Sequence, residues 1–417
     1  MSSVVPEGWE VSKLEDRLYR PLAYGVLKPD AFVEDGVPML RIQDVSISGL
    51  NKRKLHRISE KLHLEFKRTQ LREGDLVISL VGTIGRVLEI TKSLDGANVS
   101  RAFGVIGLKD DIDRHYIRQF LTSQKIQDWI QEQAQGNAQK VLNLGELRNL
   151  SIVHPPLPEQ KKIASILTSV DEVIENTQKQ IDKLQDLKKA TMNELLTKGI
   201  GHTEFKDSEL GQIPKSWEVT KFANILDIIA GKGFELKEYS TEGVKLLRID
   251  NVSWGKISWD SCAFLPYEYL ESEKKLILAE HDLLLALNRP ITQGKLKLAR
   301  CTASDVPAIL YQRVGKITSI NEDICTNNFA FYLLNQYLPD FIKGESVGSD
   351  QPFINLTALR GLMLPLPSRC EQDRMYESMN AIDIGIDRLT KKLCQTQSLK
   401  KSLMQDLLTG KVRVTVN

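Results

Sequence analysis

The length, composition and charge of the chain limit what the protein can be. The chain has 417 residues, of which 41% are hydrophobic and 26% are charged. This length is too great for one hydrophobic core and predicts two or more globular domains. No apolar run approaches the roughly 20 residues that cross a bilayer, and the N-terminus lacks the pattern of a secretory signal, so we expect a cytoplasmic protein without membrane contact. The net charge of +2 excludes a polycation, so nucleic acid could be bound only through local basic patches.

The first part of the chain, residues 1–155, predicts short strands and turns with a helix or two. Residues 76–81 form an apolar run typical of a buried strand, residues 82–85 predict a turn, and residues 86–88 resume the strand. Residues 115–133 carry apolar side chains at helical spacing, and residues 323–341 hold a similar segment. These elements predict a mixed α+β fold.

Residues 159–198 predict one long helix. Apolar or small side chains step by four and three residues, which is the seam pattern of a coiled coil. Pro158 suits the first turn, and Gly199 suits the left-handed position after the last turn. The residues predicted to face a second helix are Ile163, Leu167, Val170, Ile174, Ile181 and Leu184.

The second half of the chain repeats the first. The sequence PEGWEV around Trp9 recurs as PKSWEV around Trp217, and LRIQDV from Leu40 returns as LRIDNV from Leu247. Further matches keep this order and end with LKK at Leu187, which returns at Leu399. Chance does not give so many matches in one order, so the chain is a tandem duplication.

The second copy ends in its own long helix. Residues 368–371 are typical of a capping box, and Gly410 ends the helix. Its seam residues are Met375, Met379, Ile382, Ile386, Leu389 and Leu393. Two seams in one chain predict an antiparallel intramolecular coiled coil, although each stripe could instead pack only on its own domain. The predicted organisation is a variable globular domain at 1–155, a helical spacer region at 156–213, a second variable globular domain at 214–365 and a helical spacer region at 366–417.

No catalytic or metal site is predicted. An amino-methyltransferase would need a glycine-rich cofactor loop and an Asn-Pro-Pro-aromatic motif, but Pro155-Pro156 follows a histidine. The Glu-x-Lys spacings at Glu65 and Glu204 lack the acid-bearing strands of a nuclease. The chain has no phosphate-binding Gly-Lys-Ser/Thr loop, and its six histidines and five cysteines show no metal-ligand spacing.

Basic and polar segments predict a DNA interface, with a solvated loop as the alternative. Residues 52–57 place five basic side chains in six positions, which suits phosphate contacts. Loops that differ between the copies are the better candidates for base contacts, because domains that read different sequences should differ where they touch bases. The candidates are Lys52, Arg53, Lys54, Arg57, Thr83, Arg86, Asn98, Arg101, Asn137, Gln139 and Lys140 in the first copy, and Asn288, Arg289, Thr292, Gln293, Lys295, Lys297, Ser349 and Gln351 in the second.

The ordered motifs together resemble the specificity subunit of type I restriction-modification enzymes. A tryptophan motif, a variable domain, a Pro-Leu-Pro segment with Glu-Gln and a long helix ending in Leu-Leu-Thr all occur twice, and they cover essentially the whole chain. One departure is that Glu371-Gln372 lies further from Pro367 than Glu159-Gln160 lies from Pro158. This departure argues against fully equivalent subunit contacts at the two helices.

The resemblance implies a non-catalytic subunit of an adenine-N6 methylating and restricting complex. Each variable domain would read one half of a split, asymmetric site in double-stranded DNA, and the helices would space the domains and hold two modification subunits. Restriction and translocation subunits would join through the complex, and S-adenosylmethionine, ATP and Mg²⁺ would be used by partner subunits, with no cofactor bound by this chain. The alternatives are a tandem DNA-binding regulator or coiled-coil adaptor that works alone, and a single-chain restriction enzyme, which would need catalytic domains that this sequence lacks.

Overall fold

A computed structural model of the chain describes residues 5–46, 49–50, 55–134, 141–345 and 353–416. They fold as two units, of which unit 1 comprises Met1–Lys179 with Leu389–Asn417, and unit 2 comprises Gln180–Arg388. The first variable region therefore lies in unit 1 and the second in unit 2. Each long helix is divided between the units, which is a different partition from the four consecutive regions expected from the sequence.

Unit 1 combines small sheets with short helices, as predicted. Leu76–Ser79 lies antiparallel between Val87–Glu89 and Phe103–Ile106. Val37–Leu40 pairs with His56–Ile58 in antiparallel and with Asn98–Val99 in parallel orientation, and Glu10–Lys13 pairs with Ser151–His154. A short hairpin joins Val45–Ser46 to Gly49–Leu50. The helices are Glu60–Glu65, Arg114–Thr122, Gln124–Gln133 and Leu144–Arg148, with 3₁₀ turns at Leu14–Arg17, Ile42–Asp44, Lys67–Thr69 and Lys92–Leu94.

Unit 2 repeats these pairings with additions. Leu283–Ala286 lies antiparallel between Leu298–Arg300 and Val314–Ser319, and Leu226–Ala230 extends the sheet. Val244–Leu247 pairs antiparallel with Ala263–Leu265 and parallel with Ala308–Leu310. Further antiparallel pairs join Glu218–Lys221 to Met363–Leu366, Phe205–Ser208 to Gly211–Pro214, and Ile291–Thr292 to Lys295–Leu296. The helices are Phe222–Ile225, Tyr269–Ser272, Asn327–Glu345 and Leu356–Arg360, with 3₁₀ turns at Leu236–Glu238 and Lys274–Leu276.

The strand pairings confirm the internal repeat. In each unit the strand after the tryptophan motif pairs with the strand that precedes a long helix. In each unit the strand of the Leu-Arg-Ile motif also has one antiparallel and one parallel neighbour. Because parallel pairing needs a long crossover connection, its recurrence at the same place indicates one topology used twice.

The two long helices are Leu157–Lys198 and Arg369–Leu407. Gly199 and Gly410 follow them with φ of +71°, which is the left-handed conformation that glycine adopts without strain. Within unit 1, Lys400 Nζ lies 2.6 Å from Asp171 Oδ1, while Arg413, beyond the second helix, bonds Glu159. Residue numbers thus rise along one helix as they fall along the other, so the helices are antiparallel.

Unit 2 holds its own halves of the two helices in the same antiparallel arrangement. Lys188 Nζ lies 2.6 Å from Asp383 Oδ1, and the Ile200 amide donates to Glu371 Oε1 over 2.9 Å. All the residues predicted to form the seam are buried or partly buried.

Each unit completes its core with segments from both long helices. In unit 1, Ile163 and Leu167 of the first helix share a cluster with Leu407 and Leu408 from the end of the second. In unit 2, Leu196 shares a cluster with Met375, Met379 and the fully buried Trp217. Fully burying one such side chain contributes about 1.5–3 kcal/mol, so the helices are part of both cores.

The second long helix does not begin with a capping box, so that prediction is wrong. The Glu371 side chain accepts hydrogen bonds from Trp217 Nε1 at 3.0 Å and from the Ile200 amide, and its Oε1 lies 2.8 Å from His202 Nε2. These partners are far away in sequence. The carboxylate therefore joins the beginning of one helix to the segment that follows the other, within unit 2.

The Glu-Gln pairs at the starts of the two long helices occupy equivalent positions, although their spacing from the preceding Pro-Leu-Pro segments differs. Gln160 Nε2 donates to the carbonyl of Pro155 over 2.8 Å, and Gln372 Nε2 donates to the carbonyl of Pro367 over 3.0 Å. Pro367 therefore corresponds to Pro155 rather than to Pro158. The Pro-Leu-Pro triplets at 156–158 and 365–367 are therefore not equivalent positions in the two copies.

Candidate DNA interface

Residues 291–296 of unit 2 form a two-stranded β-ribbon that carries three of the candidate DNA contacts, Thr292, Gln293 and Lys295. Ile291 pairs with Leu296 and Thr292 with Lys295, and the turn residues Gln293 and Gly294 have φ of +52° and +73°. Two left-handed turn residues match the twist of a tight hairpin. Ile291 and Leu296 pack on the core, so strand alternation places Thr292 and Lys295 on the other face.

Two arginines lie at the same end of the sheet as this ribbon. Arg289 precedes the ribbon, and the carbonyl of Arg313 accepts a hydrogen bond from the Leu287 amide over 2.9 Å. Both side chains are exposed, and their φ values are +46° and +68°. Residues other than glycine rarely adopt this conformation, and such residues cluster at functional sites.

The remaining candidate DNA contacts of unit 2 differ in exposure and in hydrogen bonding. Asn288 is half-buried and its backbone pairs with Phe353, whose side chain is 60% exposed. Lys297 Nζ donates to the carbonyl of Ile249 over 3.1 Å, which gives it a structural contact. Ser349 and Gln351, which precede Phe353 in sequence, lie outside the described residues.

Unit 1 has a shorter connection at the corresponding end of its sheet. Ile78 pairs with Val87 around residues 79–86, whereas Leu285 pairs with Leu298 around residues 286–297. The shorter connection forms a turn that exposes Thr83. Half-buried Arg86 donates from Nη1 to the Val45 carbonyl over 3.0 Å, so it helps to hold the connection in place.

Arg101 lies close to this connection. It is exposed, and the next residue, Ala102, accepts a backbone hydrogen bond from Leu80 over 2.7 Å. Val81 pairs with Val141, as Asn288 pairs with Phe353 in unit 2. Thr83 and Arg101 therefore lie at the end of unit 1 that corresponds to the ribbon end of unit 2.

Other candidates of unit 1 have different surroundings. Asn98 is fully buried and bonds Thr69 Oγ1 at 2.8 Å and the Phe66 carbonyl, so the structure contradicts its prediction as a DNA contact. Arg57 is half-buried and donates to the Gly36 carbonyl over 3.0 Å. The candidates outside the described residues are Lys52, Arg53, Lys54, Asn137, Gln139 and Lys140.

Several residues that the two copies share make hydrogen bonds within their own unit. The Arg41 amide donates to Asp44 Oδ2 and the Arg248 amide to Asn251 Oδ1, each over 2.9 Å. Asn355 accepts from two amides at the start of the helix that follows it. These hydrogen bonds stabilise turns and the starts of helices. They lie outside the polar loops that differ between the two copies.

Sequence reasoning missed Trp254. Its side chain is 41% exposed and lies beside the ribbon, where Lys295 Nζ is 5.7 Å from the ring centroid. It lies two residues after the repeated segment 247–252, whose recurrence in both copies marks that segment as scaffold. No signal in the sequence marks it, because its exposed fraction and its contact with Lys295 are visible only in the structure.

Two features of the described residues bear on other functions. Among residues 5–46, 49–50, 55–134, 141–345 and 353–416, no three histidine, cysteine, aspartate or glutamate side chains are grouped so that they could hold a metal ion. In the same part of the chain, no helix is long and apolar enough to cross a membrane.

The comparisons with known proteins agree with one another. The family model for the type I restriction modification DNA specificity domain matches residues 6–186 and again residues 214–396. The MjaVIII specificity subunit of Methanocaldococcus jannaschii is 35% identical over 98% of this chain and 94% of its own length. The MjaX specificity subunit of the same organism, described as putative, is 30% identical over 98% of this chain and 95% of its own.

A solved structure supports the fold. The S subunit of a type I restriction-modification system from M. genitalium aligns with a TM-score of 0.61 at 17% identity, covering 98% of this chain and 97% of that one. Together with the two domain matches, this places two copies of one specificity domain in the chain. The chain therefore belongs to the family of type I restriction-modification DNA specificity subunits, which are non-catalytic.

Proposed function

We propose that this chain reads a two-part, asymmetric sequence in double-stranded DNA, one half with the variable region of each unit. The observation that carries this proposal is that the same end of the same sheet bears a short turn in unit 1 and a longer ribbon in unit 2. A shared scaffold with different loops at one position is what two readers of different sequences require. We place this function in the cytoplasm, where bacterial and archaeal DNA lies.

The chemistry of the exposed loops supports contact with bases. Arg289, Gln293 and Lys295 project at or beside the ribbon, and Thr83 and Arg101 occupy the corresponding end of unit 1. Arginine, lysine and glutamine can each make paired hydrogen bonds to base edges in the major groove, which is wide enough to admit a two-stranded ribbon.

We further propose that methylation and cleavage belong to partner subunits. Two modification subunits would dock on the long helices, restriction and translocation subunits would join through the complex, and S-adenosylmethionine, ATP and Mg²⁺ would be bound by those partners. Support for docking comes from apolar side chains left exposed on the helices, namely Leu187 and Ile384 in unit 2 and Val173 and Leu399 in unit 1. Exposed apolar side chains mark a protein interface where they form a contiguous patch, and the proposal requires that these side chains do so.

A domain exchange tests the reading of half-sites. Residues 214–365 are replaced by the corresponding region of another specificity subunit, and methylated adenines are mapped in cells that carry the whole system. Because each unit has its own scaffold and loops, we expect one half of the target to change and the other to stay.

Two results would count against the proposal. A change in both halves would show that the units do not read independently. Tight, specific binding by the chain alone, without any methyltransferase that copurifies, would favour a regulator that works by itself.

The basic segment at residues 52–57 gives a separate prediction about affinity. Arg53→Glu with Lys54→Glu should weaken binding to all sequences and reduce the slope of log affinity against log salt by about 0.9 for each phosphate that the protein no longer neutralises. Titration of the purified complex at several salt concentrations measures both effects. Lys92→Glu serves as a control, because its 3₁₀ turn follows the strand that leads away from the Thr83 turn. An altered base preference would instead make these residues readers.

A further inference from the structure

Trp254 is more exposed than the other four tryptophans of this chain. Trp9 and Trp217 are buried, and Trp129 and Trp259 are partly buried, whereas 41% of Trp254 is accessible. Full burial of a large apolar side chain stabilises the fold by about 1.5–3 kcal/mol. Because Trp254 is only partly buried, it contributes less than this. A single exposed apolar residue is ordinary in itself, so its position must carry the argument.

The turn that carries Trp254 is firmly held. Val252 pairs with Ile257 across it, and the Ser253 amide donates to the Lys256 carbonyl over 3.0 Å. Gly255, at φ +83°, donates its amide to the Leu298 carbonyl over 2.8 Å. Because the backbone is bonded on both sides, the indole is presented at a defined place.

That place is beside the outer face of the ribbon. Lys295, whose ammonium lies over the indole ring, is the cross-strand partner of Thr292. The exposed surface here thus combines an aromatic face with a lysine, a threonine and the Gln293 tip. The repeat aligns Trp254 with Ile47 of the first copy, so the two units differ in the size and shape of the apolar side chain at this position.

We propose that Trp254 packs against the C5 methyl group of a thymine in the half-site that unit 2 reads. This proposal rests on the proposed function. Thymine is the base that places a methyl group in the major groove, and apolar side chains recognise it there. With the ribbon in the groove, Thr292, Gln293 and Lys295 meet polar atoms, and the indole beside them meets an apolar group. Trp254 would then specify an A·T pair.

Replacement of thymine by deoxyuridine tests this contact, because it removes only the methyl group. After the target has been mapped, each thymine of both strands is replaced in turn, and the affinity of the complete complex is measured with wild-type chain and with Trp254→Ala. In wild type, one replacement in the unit 2 half-site should weaken binding about fourfold, the value of one buried methyl group. With Trp254→Ala, that same replacement should have no further effect.

Two more variants show whether the effect is specific. Trp254→Phe keeps an aromatic face and should retain part of the thymine preference. Tyr267→Ala removes another strongly exposed aromatic side chain, which follows Ala263–Leu265 and lies toward the opposite end of that sheet from Trp254, and it should leave the deoxyuridine effect intact. An unchanged thermal midpoint of Trp254→Ala would show that the fold is preserved.

Three results would overturn the proposal. The first is a full deoxyuridine effect that persists in Trp254→Ala, and the second is a unit 2 half-site in which no thymine is sensitive. The third is a fall in affinity in Trp254→Ala that is equal for target and unrelated DNA, which would indicate a backbone contact. If the wild-type complex did not distinguish its mapped site from unrelated DNA, the proposed function would fail as well, so the two failures can be told apart.

Discussion

A complex whose specificity chain carries Arg289→Ala, Gln293→Gly and Lys295→Ala is expected to bind its target at least about a hundredfold more weakly. The three side chains are exposed at or beside the ribbon, and a good base contact contributes about 1–3 kcal/mol of discrimination. Ile291 and Leu296, which anchor the ribbon in the core, are kept. Competition titrations against target and unrelated duplexes measure the effect, which should fall on the target.

A control variant with the same change in charge separates base reading from general electrostatics. Lys274→Ala with Lys275→Ala removes two positive charges from exposed positions elsewhere in unit 2. It should weaken target and unrelated DNA by the same small factor. If both variants reduced target affinity equally, the ribbon would not be the reader.

The second large effect is expected on stability, from Glu371→Ala. Removal of this carboxylate leaves the buried Trp217 Nε1 and the Ile200 amide without their acceptor. A buried donor without its partner costs about 1–3 kcal/mol, so we expect the free energy of unfolding to fall by about 3 kcal/mol. Denaturation followed by circular dichroism measures the change, and hydrogen exchange should locate it near residues 200–217.

The repeat supplies a matched control in unit 1. Glu159 occupies the position equivalent to Glu371, but its partner Arg413 is 46% exposed at the side chain, and Trp9 Nε1 has no hydrogen-bond partner among the described residues. Because an exposed guanidinium can turn to water, Glu159→Ala should cost less than Glu371→Ala. Equal destabilisation by the two variants would show that burial of the Trp217 donor is not the cause.

The sequence predicted the elements with long periodic patterns well. The duplication and both seams could be recognised because matching segments and helical spacing are local properties of the chain. The seam shows which face of a helix is apolar but not what covers it, so the sequence did not reveal that each helix contributes to both cores. Glu371 fits a capping box by spacing, yet its carboxylate bonds Trp217 and His202, which are distant in sequence.

The candidate interface was predicted in part. Gln293 and Lys295 were predicted because they belong to a polar segment that differs between the copies, and the structure places both at an exposed turn. Asn98 was wrong because a polar residue beside a strand looks like a loop residue, whereas here Thr69 and Phe66 satisfy its amide inside the core. Trp254 was missed because the repeated segment before it reads as scaffold, and only the structure shows its exposed fraction and its contact with Lys295.

The division of the long helices also bears on how the chain folds during synthesis. Unit 2 is continuous in sequence, from Gln180 to Arg388, whereas unit 1 needs Leu407 and Leu408 to complete its core. A ribosome adds about 5–20 residues per second. The core of unit 1 therefore stays incomplete for roughly 10–40 s while the residues of unit 2 are synthesised. The domain that starts first should therefore finish last, and premature termination anywhere before residue 389 would leave its apolar helix face, from Ile163 to Leu167, without its partner.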